Sequence, residues 1–185
     1  MKAIQITITF LLISTCSIFG QIYKNKDKGG KVHFFSATPM ENIEANTNTA
    51  ISIINTSTDS INVRIQITSF QFKNSLMQDH FNENYLESEK YPTASLKGKI
   101  NEKIDFKKDG TYKVTANCNV TIHGVLKPYL LTGTITVKNG EVQLISKFDV
   151  KLVDHKIEVP KLVMSKIAES IAIDVDFTYI PFVRK

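Results

Sequence analysis

Apolar and polar residues alternate along much of the chain. Ile61, Val63, Ile65 and Ile67 are interleaved with Asn62, Arg64 and Gln66. Tyr112, Val114, Ala116, Cys118, Val120 and Ile122 share one phase, and Tyr129, Leu131, Gly133, Ile135 and Val137 share the next. Val142, Leu144, Phe148, Val150 and Leu152 follow, with Ser146 where an apolar residue is expected, and Ile171, Ile173, Val175, Phe177 and Tyr179 close the series. Each run offers one apolar and one polar face, the pattern of a half-buried antiparallel strand. Turn chemistry separates the runs: Lys108-Asp109-Gly110, His123-Gly124 and Asn139-Gly140. Asn-Gly between alternating segments is a strong hairpin signal, because both residues tolerate the positive φ that a tight turn needs. Shorter candidates at 32–37, 48–55 and 93–100 raise the count to about eight strands. Long strands with short connections predict an all-β, antiparallel, up-and-down barrel. A sandwich, with shorter strands and longer crossovers, is the rival architecture.

Two stretches leave the alternation. The apolar set is odd-numbered through Ile67 but even-numbered at Phe70 and Phe72. A β-bulge near Thr68-Ser69 would return both rings to the inner face. Asn74 then suits the N-cap of a short helix, with Leu76, Met77, His80 and Phe81 on one side; Tyr85 and Leu86 continue the apolar content until Pro92 stops it. This insertion predicts a plug at one barrel end. A second irregular stretch, 154–166, is placed at the other end or beside it.

The amino terminus changes the cellular picture. Lys2 precedes an apolar stretch at 3–13, and small residues lead to Gly20. That is the shape of a secretory signal peptide over 1–20, leaving a domain over 21–185. Cys16 raises a rival, a lipoprotein signal, although Thr15 stands where Gly or Ala is preferred. The expected location is periplasmic or secreted, with only transient membrane contact unless Cys16 is acylated. Cleavage takes the net charge from +5 to +4 and leaves Cys118 alone, so an internal disulfide is excluded and stability falls to the core. The lysines are scattered among acids, which argues against a nucleic-acid partner. An oligomer is compatible with the sequence.

Chemistry-bearing motifs are sparse. His33, His80, His123 and His155 are far apart, and neither HExxH nor paired cysteines occur after residue 20. No metal or cofactor site is read. G-x-S-x-G, P-loop and dinucleotide fingerprints are absent, Cys118 is in phase with an inner face, and Asp174 and Asp176 fall on an outer one. No catalytic residue is assigned and the chain is not read as an enzyme; a small-molecule enzyme using His80 with Asp79 or Glu83 is the minor alternative. What remains is the interior. Phe70, Phe72, Met77, Phe81 and Tyr85 cluster where the insertion meets the barrel, consistent with either core packing or an apolar cavity.

The segment 76–92, with His80-Phe81 inside a helical stretch and Lys90-Tyr91-Pro92 at its end, resembles the signature of YceI-like proteins. Residues 120–128, an apolar strand followed by His123-Gly124-Val125 and Lys127-Pro128, are similar to a second hallmark of that family, and 167–177 fits its closing strand. The likeness spans about 32–179. It implies an extended, lipocalin-like barrel exported to the periplasm, whose tunnel takes polyisoprenoid or other amphiphilic lipids. Two departures concern the ligand: residues 75–79 lack the basic residues that often precede the family's histidine, and 44–49 are polar. The resulting expectation is an exported binding protein for an isoprenoid-like or other apolar lipid, serving transport, storage or sequestration. Its lining would be Phe70, Phe72, Met77, His80, Phe81 and Tyr85 near the insertion. The inward strand positions Leu96, Val120, Ile122, Leu131, Phe148, Val150, Ile171 and Ile173 would complete it. The alternative is an envelope interaction module with a packed barrel and no ligand.

Overall fold

The computed structural model describes residues 21–183. The expected signal peptide, its cleavage point and Cys16 lie outside the described residues. Ten strands occur in the order β1 (Ile22–Asn25), β2 (Gly30–Ala37), β3 (Asn42–Asn55), β4 (Ser60–Gln66), β5 (Gln71–Phe72), β6 (Thr93–Ile100), β7 (Gly110–Ile122), β8 (Val125–Lys138), β9 (Glu141–Lys151) and β10 (Ser170–Pro181). All pairings are antiparallel. The path β10-β2-β3-β4-β6-β7-β8-β9 returns to β10, because β9 pairs with β10 from Ser170↔Lys151 to Tyr179↔Val142. Eight strands thus close an up-and-down barrel, as the alternation predicts.

The two remaining strands complete broken wall positions. β1 pairs with β10 and β3 below β2, so β1 and β2 form one wall position interrupted at 26–29. β5 pairs with β3 through Ala45↔Phe72, alongside the same strand that holds β4. The break between β4 and β5 corrects the expected bulge. A 3-10 turn, Ile67–Ser69, ends β4, with the Phe70 N–H donating to the Ile67 carbonyl at 3.2 Å and the Ser69 hydroxyl to the Gln66 carbonyl at 2.6 Å. A full turn rotates the chain as one extra residue would, so Phe70 and Phe72 still reach the interior, but the ladder stops rather than kinks. The register irregularity lies instead between Gly30 and Val32.

The tight hairpins follow from the turn residues. Asn139-Gly140 adopts φ of 52° and 79°, and His123-Gly124 adopts 51° and 72°. Both are left-handed pairs whose twist matches the flanking strands. The barrel is filled unevenly. At the Asn139-Gly140 end, Tyr23, Ile54, Ile135, Val137, Val142, Phe177 and Tyr179 are all buried, and the Tyr179 and Ser52 hydroxyls bond at 2.7 Å. At the His123-Gly124 end the interior is hollow. The helix α1 (Ser75–His80), a π-turn at Phe81–Tyr85 and the 152–169 connection all gather there. The 154–166 stretch therefore shares the insertion's end. Ile157 packs with Ile67 and Leu86, so one apolar cluster ties the two irregular segments together.

Candidate functional site

The hollow half of the barrel is an apolar cavity of about 470 Å³. Its size lies within the range of small-molecule sites. Strand alternation builds the wall: every second residue of β7 points in, so Val114, Ala116, Cys118, Val120 and Ile122 all line it. β10 contributes Ile171, Ile173, Val175 and Phe177, the last forming the floor against the packed end.

The insertion builds the other side. The Asn74 side chain accepts from the Leu76 and Met77 amides at 2.9 and 3.3 Å, which fixes the start of α1 and satisfies its free N–H groups. The resulting phase turns Met77, His80 and Phe81 toward the cavity. Phe81 then joins Phe34, Phe70 and Phe72 in a cluster whose ring centroids are 5.0–5.7 Å apart, in edge, tilted and stacked arrangements. The cavity reaches exposed residues at this end, including Asn74, Leu76, His80 and Lys166, which mark its mouth.

Each lining residue read from the sequence sits on this wall. Phe70, Phe72, Met77, His80, Phe81 and Tyr85 border the insertion side, and Leu96, Val120, Ile122, Leu131, Phe148, Val150, Ile171 and Ile173 the barrel side. Val32, Phe34 and Ser36 of β2, Ile43 of β3, and Val163 and Ile167 of the 152–169 connection line it as well. In the sequence the adjacent Phe34 and Phe35 leave the phase of β2 open, and nothing local marks Val163 or Ile167. Ser36 is buried, its hydroxyl accepting from the Ala168 amide at 2.9 Å and so holding that connection over the barrel.

Cys118 is buried, and desolvation raises its thiol pKa to about 11, so it packs as a small apolar group. His80 is exposed at the mouth, as are its neighbours Asp79 and Glu83. Among the described residues no three His, Cys, Asp or Glu side chains gather as a metal ion needs. His33 has two carboxylates within 3.5 Å, Asp174 at Nδ1 and Glu44 at Nε2, but they occupy opposite ring nitrogens on the outer wall.

Folding does unite two histidines that sequence spacing kept apart. His155 is buried, with Nδ1 donating to the Val125 carbonyl at 3.0 Å and Nε2 accepting from the Tyr129 hydroxyl at 3.0 Å. A carbonyl can only accept, which sets this tautomer of the neutral ring. Desolvation holds its pKa below the usual histidine range. The His155 carbonyl in turn lies 3.3 Å from Nδ1 of His123, whose Nε2 is 2.5 Å from Glu87. Tyr91 packs edge-on against His123 at 4.6 Å, and a Cβ on Gly124 would stand only 2.5 Å from the Tyr91 ring. The Lys90-Tyr91-Pro92 and His123-Gly124 segments noted in the sequence are thus one contact, which pins the insertion to the β7–β8 turn.

Known structures share this architecture. A polyisoprenoid binding domain from Saccharophagus degradans superposes with a TM-score of 0.74 at 12% identity, over 86% of this chain and 98% of that one. BcnA of Burkholderia cenocepacia gives 0.66 at 16% identity, over 80% and 95%. The YCEI protein of Campylobacter jejuni gives 0.55 at 18% identity, over 99% and 94%. At these identities the likeness speaks for the fold alone. No curated protein sequence matches the chain. The family model of the YceI-like domain, however, matches residues 23–179, nearly the whole described barrel together with the insertion, and on that match this chain belongs to the YceI-like family.

Proposed function

We propose that this protein binds one apolar lipid chain, isoprenoid-like or fatty, inside the hollow half of its barrel. The observation that carries the reading is the cavity: about 470 Å³, walled by aliphatic and aromatic side chains, floored by Phe177 and opening beside α1. Each ~100 Å² of ligand surface withdrawn from water contributes roughly 2.5 kcal/mol, so a long hydrocarbon chain supplies its own driving force. The wall offers few directional hydrogen bonds, which favours recognition by shape and length over recognition by polar pattern. The Saccharophagus degradans domain, described as polyisoprenoid binding, supports the same class of ligand.

The protein acts by holding its guest, for transport, storage or sequestration, and not by catalysis. It works outside the cytoplasm, after cleavage following Gly20. A barrel acting only as a packed interaction module has no need of a hollow half.

Native mass spectrometry of protein purified without detergent, followed by organic extraction, tests the binding. A retained lipid mass, and uptake of a polyprenol or fatty acid by emptied protein, are the expected results. Recovery of empty protein that takes up neither probe would end the proposal. Amino-terminal sequencing of protein from the envelope fraction tests export, with Gln21 expected as the first residue.

A further inference from the structure

The cavity mouth is ringed by apolar side chains that the fold leaves in water. Leu162 is 93% exposed and Met164 54%, both in the turn following Pro160. Leu76 on α1 is 59% exposed, and Met40 at the β2–β3 turn is 66% exposed. These come from three separate segments. Each exposed side chain lies on or immediately beside a lining residue: Met40 is next to Glu41, Leu76 itself lines the cavity, and Leu162 and Met164 flank Val163. Two of these segments are also joined to each other, since Lys166 pairs with Glu41 at 3.6 Å.

Isolated exposed leucines need no explanation, but several on the protruding tips around a single opening do. Residues 160–167 carry Lys161 and Lys166, both exposed, and no acid. A Leu-Val-Met tip beside exposed Lys161 has the composition of a segment that lies in a bilayer interface, apolar side chains among the acyl chains and the Lys161 ammonium at the anionic headgroups, while Lys166 is held by Glu41. A flat protein partner would be met by a continuous face. Separated tips around a hole suit a fluid surface that can fill between them.

We infer that the mouth end of the barrel docks on an anionic lipid bilayer, with Leu162 and Met164 inserted. The cavity then faces the bilayer, and a guest crosses between the two without passing through water. The inference rests on the lipid-binding reading above, and it goes beyond that reading by naming the surface from which the ligand is collected or to which it is delivered.

Flotation with vesicles of phosphatidylglycerol and phosphatidylethanolamine tests the docking. Parent and variant both carry Cys16→Ser, which removes any acyl anchor from the comparison. The parent floats with the vesicles, and Leu162→Glu/Met164→Glu lowers the bound fraction about tenfold. The double variant still takes up N-phenylnaphthylamine from solution as the parent does, which shows that it is folded and its cavity intact. Equal flotation of parent and variant, or a parent that does not float, overturns the docking surface. Failure of the parent to take up any probe would count against the lipid cavity instead, so the two readings fall separately.

Discussion

The Ser146 hydroxyl donates to the Thr132 carbonyl at 2.6 Å, in place of a further backbone N–H of the β8–β9 ladder. Backbone pairing between these strands runs from Lys138↔Glu141 to Gly133↔Ser146 and stops, although both strands continue. Thr132, Gly133 and Ser146 all line the cavity. Beyond them the seam is spanned by side chains, with Tyr129 edge-on to Phe148 at 6.3 Å and bonded to His155. The polar residue at an apolar phase is therefore where one wall of the barrel changes from ladder to side-chain closure. Replacing it tests that role. Ser146→Val leaves the Thr132 carbonyl without its partner and is expected to cost about 0.5–1.5 kcal/mol. The urea midpoint should fall while the m-value stays unchanged, since the same surface is still buried.

Acid should weaken the fold through His155. Its folded-state pKa is depressed, so the native state favours the neutral ring more strongly than the unfolded chain does. The sign follows: this contribution is complete above the unfolded value of about 6.5, and declines as pH falls below it until the folded pKa is passed. The slope cannot exceed about 1.4 kcal/mol per pH unit for one proton. Denaturation midpoints of the parent should drop between roughly pH 7 and pH 5. His155→Asn should be less stable throughout and show a shallower decline over that interval. Identical slopes would remove His155 from the account.

Filling the cavity should separate binding from folding. Ala116 lines the cavity at mid-height on β7, where Val114 and Cys118 flank it on the same face. Ala116→Phe places a ring in the empty space, where there is room that a packed core would lack. Lipid uptake should be lost, with thermal stability equal to or above the parent's. Undiminished uptake would place the guest elsewhere.

Thiol chemistry reports on the same wall. With its pKa near 11, Cys118 carries only about a thousandth of its population as thiolate at pH 8, and burial further limits access. In a Cys16→Ser background, a disulfide reagent should therefore label folded protein slowly and urea-unfolded protein at once. A bound lipid should slow labelling of the folded form further, because Cys118 lines the cavity.

Alternation along β4, β7, β8, β9 and β10, with Asn139-Gly140 and His123-Gly124 between strands, was enough for an up-and-down barrel and for most of its inner face. Those features are local: the side-chain period of a strand and the φ preferences of two turn residues operate without knowledge of the rest of the chain. The Asn74 cap was legible for the same reason. The phase change at Phe70 was visible too, but a bulge and a 3-10 turn correct the phase equally well, and only the Ile67–Ser69 turn that interrupts the ladder between β4 and β5 distinguishes them.

The tertiary structure alone decided what the inside contains. Ile135 and Leu131 occupy the same phase of β8, yet Ile135 is locked among Tyr23, Val137, Val142 and Tyr179, while Leu131 borders open space. Which apolar residue fills a core and which lines a cavity depends on what arrives from across the barrel, and that is a sum over eight strands. The joining of His123 to His155, the gathering of both irregular segments at one end, and the ring of Met40, Leu76, Leu162 and Met164 around the mouth have the same origin. They are meetings between residues distant in sequence, brought about by closure of the barrel.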